Sequence, residues 1–276
     1  MAAGATGRLA VLGHPVSHSR SPAMQNAALA DLGIDWRYEA IDVEPEGFDG
    51  LVRGLPERGF VGVNVTVPHK EAALRLADGA SDAARAIGAA NTLTFTERGI
   101  LADNTDAPGL IDSLADSAGD LSGRPALALG AGGAGRAVVW ALVRAGAEVT
   151  LWNRTHSKAE ALAAELGADV LPVEQRGQMD PGRFDVIVNA SAAGLGGGDG
   201  LSDLPLDEGG FRAGQTVVDM VYGDGPGTLL EAAERGGAEV VDGLEILVRQ
   251  GARSLRIWTG REPDLDVMRR AARSGG

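Results

Sequence analysis

The chain has 276 residues, 44% hydrophobic and 23% charged, which is ordinary globular usage and enough for one large domain or two smaller ones. Lys and Arg number 25 against 38 Asp and Glu, a formal net charge of −13 that repels phosphate backbones and argues against nucleic-acid binding. Cysteine is absent, which excludes disulfides, thiolate nucleophiles, Fe–S clusters and cysteine zinc sites. Four histidines (His14, His18, His69, His156) are a thin supply for a metal centre, and no metal is expected. The opening MAAGATGRLAVLGHP lacks the basic start and sustained apolar run of a signal peptide. The most apolar stretch, 137–143, is bracketed by Arg136 and Arg144 and is too short to span a membrane. A cytoplasmic protein with no membrane partner is the expectation.

From residue 8 the pattern alternates strand and helix. RLAVLG at 8–13 reads as a strand. Ser21-Pro22 reads as an N-cap followed by proline at the first helical position, with Gly33 as the stop. WRYEAIDV at 36–43 alternates like a strand, and EGFDGLVRGL reads as a short helix. In VGVNVTVPHK at 61–70 the period of two places Val61, Val63, Val65 and Val67 on one face and Asn64 with Thr66 on the other, until Pro68 ends the strand. HKEAALRLAD then opens a helix. Residues 90–104 read as a hairpin turning near Arg98-Gly99, and a helix follows from about Ala107.

A second series starts near Pro125: strand, glycine turn and helix, then the strand EVTLWNR at 148–154, then a helix ended by Gly167. Residues 185–191 and 216–222 are further strands, 195–200 is a glycine-rich low-complexity stretch, and Gly243 opens an amphipathic helix. Alternation of this kind favours parallel sheets with helices packed on them.

The run Gly130-Ala131-Gly132-Gly133-Ala134-Gly135 follows an apolar strand and opens a helix, the context in which GxGxxG means dinucleotide binding. The helix N-terminus offers free N–H groups and partial positive charge to the phosphates. A NAD site usually places an acid about 20 residues on, to hold the ribose 2′-OH. This chain has Asn153-Arg154-Thr155 there, with Lys158 one turn later. Arg154 can pair with a 2′-phosphate and Thr155 can donate to it, so NADP is the expected cofactor. Solvated surface charge is the competing account of Arg154 and Lys158. At the front, Ser17, Ser19 and Ser21 precede a helix and suit a carboxylate or a polyol, although capping alone would also explain Ser21. Lys70 lies about two residues into a helix, where the macrodipole disfavours a cation; an exposed lysine beside Glu71 is the alternative. Asp106, in DNTDAPG, precedes a helix and reads equally as an N-cap. His18 and His69 read as loop or structural residues.

Taken together and in order, GHPVSHSRSPAMQN, NVTVPHK, IGAANTL, DNTDAPG, GAGGAGRA, NRT, NASAAG and LVRQGA resemble the shikimate dehydrogenase family, from about Leu9 to Met268. The resemblance implies two α/β domains separated by a cleft that closes on its ligands. A substrate domain would cover 1–106, completed by 243–276, and a Rossmann-like NADP-binding domain 107–242. It implies NADPH-dependent, reversible reduction of 3-dehydroshikimate to shikimate, in the pathway to chorismate and the aromatic amino acids. Carried over by residue, Ser19 and Ser21 would hold the substrate carboxylate. Thr66, Lys70, Asn91, Asp106 and Gln250 would bind the ring hydroxyls, with Tyr222 lining the pocket. Lys70 and Asp106 would be the catalytic pair. The Gly130–Gly135 loop, Asn153, Arg154, Thr155 and Lys158 would contact NADP, and Ser191, Val221 and Gly243 would lie at its nicotinamide end.

Some positions depart from the family pattern. Gln25 stands where His is usual, Asp103 where Gly is common, Ser191 where Thr is usual and Leu247 where Met is common, and GDGPG follows Tyr222 in place of the usual Tyr-x-Pro spacing. Two other readings remain open at this point. One is a relative acting on quinate or an aminoshikimate-type substrate, against which Asn153-Arg154-Thr155 argues. The other is a non-catalytic nucleotide-binding regulator, which would have no need for Lys70 and Asp106 together. A homodimer is an admissible assembly that no motif specifies.

Overall fold

The computed structural model describes residues 7–166, 170–172, 179–195, 199–223 and 227–275. The expected helix stop at Gly167, the centre of the 195–200 stretch and residues 224–226 after Tyr222 lie outside them. The chain divides into two compact units, Met1–Thr105 with Leu247–Gly276, and Asp106–Ile246. Among the described residues no helix is long and apolar enough to cross a membrane.

The first unit runs β1 (Arg8–Gly13), α1 (Ser21–Asp31), β2 (Arg37–Asp42), α2 (Phe48–Gly54), β3 (Phe60–Val65), α3 (Lys70–Leu76), β4 (Gly79–Ala80), α4 (Asp82–Ile87), β5 (Thr92–Thr96) and β6 (Gly99–Asp103). Its sheet has the order β2-β1-β3-β5-β6-β4. Strand β1 is parallel to β2 and β3, but β5 is antiparallel to both β3 and β6, so the sheet is mixed where alternation alone suggested a parallel one. The expected hairpin is the cause. Gly99 turns it at φ 108, a conformation other residues resist, and a Cβ there would lie 2.2 Å from Asp78 Oδ2. Because β5 runs against β3, its first residues share an edge with the last residues of β1, β3 and β6.

Local chemistry corrects several boundaries. Ser21 is the first residue of α1 and not its N-cap; Arg20 holds the cap position, no side chain caps the helix, and the guanidinium donates to Ala272 O instead (3.3 Å). Gly33, at φ 64, ends α1 as expected. Strand β3 stops at Val65, short of Pro68, so the alternation does not reach Thr66 and Val67, and Val67 is 56% exposed. Thr66 N–H still donates to Leu12 O (2.8 Å), but the residue before a proline leaves the ladder. Lys70 is the first residue of α3, with His69 before it at the cap. Helix α4 was not expected: it is six residues long, too short to show a period, although Ser81 Oγ accepts from Ala84 N and Gly88 closes it at φ 75.

The second unit runs α5 (Asp106–Ser117), β7 (Pro125–Leu129), α6 (Gly133–Arg144), β8 (Glu148–Trp152), α7 (His156–Leu166), β9 (Val170–Pro172), β10 (Val186–Asn189), β11 (Thr216–Asp219), α8 (Thr228–Arg235) and β12 (Glu239–Val241). Asp106 opens α5 from within the helix and is not a cap outside it. The strands pair in parallel in the order β12-β11-β10-β7-β8-β9, so the order reverses between β7 and β10. Strands β7, β10 and β11 are short, apolar and buried on both faces, as a parallel sheet covered by helices requires. The elements β9, α8 and β12 carried no clear sequence signal. Helix α9 (Gly243–Thr259) follows, its residues from Leu247 onward belonging to the first unit, and α10 (Leu265–Ser274), also unexpected, is capped by Asp264, which accepts from Asp266 and Val267 N–H.

Gly62 is where α9 meets the first sheet. A Cβ there would lie 2.2 Å from Trp258 Nε1 and 2.6 Å from Leu93 O, and Trp258 Nε1 donates to that same carbonyl (3.2 Å). Gly62→Ala is expected to cost about 1–3 kcal/mol in denaturant unfolding, as overpacking does. Gly50→Ala on α2, with nothing within 4 Å, should be neutral or slightly stabilising in the same measurement.

Candidate active site

In the first unit the shared strand edge collects the polar residues. The loop after β1 carries Ser19, half-buried, whose Oγ accepts from the N–H of buried Ser21 (3.3 Å). His14 N–H donates to Val67 O (3.0 Å), and a Cβ on Gly13 would lie 2.4 Å from Thr66 Cγ2, so this loop packs directly on the one that leads from Thr66 to Lys70. The serine loop is also tied to β2. Asp42 accepts from Val16 N–H (3.1 Å) and pairs with His14 Nδ1 (2.7 Å). That hydrogen bond raises the His14 imidazole above its ordinary value and lowers the Asp42 carboxyl. His69 is structural, as read: it is buried, its Nε2 donates to Val43 O (2.8 Å), and its ring stacks on Phe48 at 4.4 Å.

Lys70 is buried, and its carbonyl accepts from Ala90 N–H (2.9 Å), which sets it beside Asn91. Asn91 precedes β5 and is also buried. Its Nδ2 donates to Thr105 Oγ1 (2.9 Å) and to Gln250 Oε1 (3.1 Å), while its Oδ1 accepts from Thr105 N–H (2.8 Å). Asn64 Nδ2 donates to Ser254 Oγ (2.8 Å), to Thr92 Oγ1 (3.2 Å) and to Asn91 O (3.1 Å), and its Oδ1 accepts from Tyr38 O–H (2.8 Å). Ser254, one helical turn after Gln250 on α9, donates to Gln250 O (3.1 Å) and lies 3.1 Å from Thr105 Oγ1. The structure thus joins Asn91 and Gln250 into one buried network with Asn64, Thr92, Thr105 and Ser254. Sequence reasoning missed the last four as supports, and only the expected placement of Asn64 on the face opposite the valines of β3 hinted at them. Gln25 lies close by: its Nε2 donates to Gly251 O (3.0 Å), and its Oε1 is buried with no hydrogen-bond partner among the described residues.

In the second unit the glycine turn separates into two demands. Gly130 sits at φ 109, and a Cβ there would lie 2.9 Å from Ala190 O and Ser191 N. A Cβ on Gly135 would lie 2.0 Å from Gly130 O. The protein's own backbone therefore requires the first and third glycines. Gly132 has an ordinary φ of −84, and a Cβ there would meet nothing within 4 Å among the described residues outside its chain neighbours and its own helix backbone, so the space beside it suits the close approach of a ligand's phosphates at the N-terminus of α6. Asn153 Oδ1 accepts from Ala131 N–H (3.1 Å) and its Nδ2 donates to Thr155 O (2.8 Å), fixing the turn against the end of β8. Arg154, Thr155 and Lys158 are exposed there, and neither cation forms an ion pair with a described residue, a donor set that fits a 2′-phosphate. Asp106 is buried at the start of α5.

Beyond the switch between β7 and β10, Ser191 N–H and Oγ–H both donate to Asn189 Oδ1 (3.1 and 2.7 Å). Asn189 Nδ2 donates to Asp219 Oδ1 (2.9 Å), which also accepts from Val221 N–H (3.0 Å). Gly243 packs on the same loop, since a Cβ there would lie 2.7 Å from Met220 O. Tyr222 follows, half-buried. Burial pushes the Asp219 carboxyl up to about 6, with the Val221 and Asn189 hydrogen bonds opposing it.

Relatives and family models agree along the chain. The shikimate dehydrogenase substrate binding domain matches residues 11–93, the shikimate/quinate 5-dehydrogenase model 113–194, and the shikimate 5′-dehydrogenase C-terminal domain 243–273. A shikimate dehydrogenase (NADP+) of Anaeromyxobacter sp. is 45% identical across 100% of this chain and 99% of its own. The chain belongs to the shikimate dehydrogenase family. The family's shikimate dehydrogenase (NADP+) of Rubrobacter xylanophilus is 42% identical over 99% of this chain and 98% of its own. The crystal structure of the Thermus thermophilus shikimate 5-dehydrogenase in complex with NADP(H) and shikimate superposes with a TM-score of 0.87 at 42% identity, over 98% of this chain and 100% of that one.

The raised Asp219 carboxyl has a definite linkage sign. The native state holds this proton more tightly than the unfolded chain, so ionisation costs stability as pH rises from about 4 to about 6. Asp219→Asn removes that cost. The variant's stability relative to wild type should therefore improve between about pH 4.5 and 7.5, by no more than about 3 kcal/mol. Thermal melts of both proteins at the two pH values check this; a difference that stays constant with pH contradicts it.

Proposed function

We propose that this chain catalyses the reversible NADPH-dependent reduction of 3-dehydroshikimate to shikimate, a step toward chorismate and the aromatic amino acids. The observation that carries the reading is the buried set Lys70, Asn91 and Gln250, which a hydrogen-bonded network holds at one strand edge beside Thr66 and the serine loop. A buried lysine whose backbone lies beside oriented amides and hydroxyls suits a compact polyol ring, and the hydroxyls of Ser19 and Ser21 suit its carboxylate.

Bound NADPH supplies the hydride. The chain's own residues do the rest. Lys70, as ammonium, gives its proton to the alkoxide that forms at the ring carbonyl and stabilises the charge developing there. In the oxidative direction the neutral amine takes the hydroxyl proton. Asp106, as carboxylate, orients the ammonium and the neighbouring hydroxyl. Asn91, Gln250 and Thr66 orient the ring, and Tyr222 lines its pocket. The Gly130–Gly135 turn with the N-terminus of α6 holds the pyrophosphate; Asn153, Arg154, Thr155 and Lys158 hold the 2′-phosphate end, and Ser191, Val221 and Gly243 the nicotinamide end. We also infer a cytoplasmic enzyme with no nucleic-acid or membrane partner; the net charge of −13 supports the absence of nucleic acid.

NADPH-band absorbance with shikimate against NADP+, run beside quinate and NAD+, tests the reaction. Turnover only with quinate and NAD+ would refute it. Lys70→Ala should lower kcat by about 10²–10⁴ while NADPH binding persists, because the amine acts at the transition state. An unchanged kcat would remove Lys70 from this role. Arg154→Ala should weaken NADP+ by about tenfold or more and leave NAD+ unaffected, which a comparison of the two KM values measures.

A further inference from the structure

Among the described residues, the mechanism leaves one buried acid unused. Asp219 ends β11, is 4% exposed, and lies in the half of the second sheet opposite Arg154 and the end of β8. In a sheet of this order, a dinucleotide crosses the edge at the reversal between β7 and β10, with its adenosine half over β8 and its other half over β10 and β11. Asp219 therefore lies on the nicotinamide side.

Its hydrogen bonds reach both loops of that side. An ionised carboxylate only accepts, so Asn189 must turn its NH2 to Asp219 Oδ1 (2.9 Å). That leaves Asn189 Oδ1 facing the loop after β10, where it accepts from Ser191 N–H (3.1 Å) and Oγ–H (2.7 Å). With its proton committed, Ser191 Oγ accepts from Ala193 N–H (3.1 Å). Asp219 Oδ1 also takes Val221 N–H (3.0 Å) and so holds the loop after β11. Packing carries the link on to the glycine turn, since Gly130 lies against the Ala190–Ser191 peptide at a distance no Cβ would tolerate. One carboxylate oxygen thus sets the orientation of an amide and the positions of two loops.

We propose that Asp219 is a positioning residue for the nicotinamide half of the cofactor, acting through Asn189 on the Ser191 loop and directly on Val221. This rests on the NADP reading above and adds a division of labour to it: the adenosine half is held without Asp219.

The test compares whole and half ligands. Calorimetry would measure NADP+ and 2′,5′-ADP, which carries the adenosine with its 2′- and 5′-phosphates but no nicotinamide half, on wild type, Asp219→Ala and Asn189→Ala. Both variants should weaken NADP+ by about tenfold, the scale of losing a hydrogen bond to a charged group, and leave 2′,5′-ADP unchanged. Asp219→Asn, whose amide oxygen can still accept both bonds, should recover most of the loss. Equal weakening of both ligands would make Asp219 a general structural residue and overturn the proposal, as would NADP+ affinity unchanged in both variants. Asn189→Ala cuts the same relay one bond further on, so a folding failure at 219 leaves the comparison standing. A wild-type chain that bound neither ligand would overturn the cofactor reading and this inference with it. Wild-type binding without the split would overturn the inference alone.

Discussion

The first unit depends on a buried set of amides and hydroxyls that satisfy one another. Asn64, Asn91, Thr92 and Ser254 are at most 6% exposed. An unpaired polar group at such depth costs a large fraction of a domain's net stability, so the network is favourable only when complete. Completeness fixes register. Asn64 on β3 faces Thr92 on β5, and a slip of one residue would turn the Asn64 side chain to the other face and strand its partners. The same bonds bring α9 to the sheet, because Ser254 is shared by Asn64, Thr92 and Thr105. Holding the sheet together and presenting Asn91 and Gln250 are one arrangement.

The second unit depends on close backbone approach. Gly135 is needed because the helix that follows the turn passes within contact of Gly130 O, and Gly130 because the turn lies on the Ala190–Ser191 peptide. A Cβ on Gly132 would meet no described residue within 4 Å outside its chain neighbours and its own helix backbone. At Gly132 the open space adjoins the free N–H groups of a helix start, and that combination suits an anion. Asp219 is a similar case in charge. Burial disfavours its ionised form, and the donors arranged around it lie at the edge where a dinucleotide would cross.

Motifs whose meaning is local were legible in the chain. The glycine turn, the Arg98-Gly99 hairpin and the Gly33 stop each rest on a backbone conformation that glycine alone adopts readily, and all three are present. Elements without such a mark were missed. Helix α4 is six residues, and β9 and β12 are three each, too short for a period to register. Caps were misplaced at Ser21 and Asp106 because a serine or an acid at a helix start looks the same in sequence whether it lies just outside the first turn or just inside it.

From the sequence alone came the α/β class, the dinucleotide turn, the expected 2′-phosphate chemistry and the residue types for acid–base work. These follow from neighbours a few positions apart, where period and backbone preference act. Only the tertiary structure decided that β5 runs against β3, and so that Asn91, at the start of one strand, shares an edge with Lys70, beyond the end of another. Only the tertiary structure joined Gln250 to Asn91 across 159 positions, and Asp219 to Ser191 through Asn189. The physical reason is that a buried hydrogen bond is chosen by which groups packing leaves without water. Packing is a property of the whole chain and is not written in any segment of it.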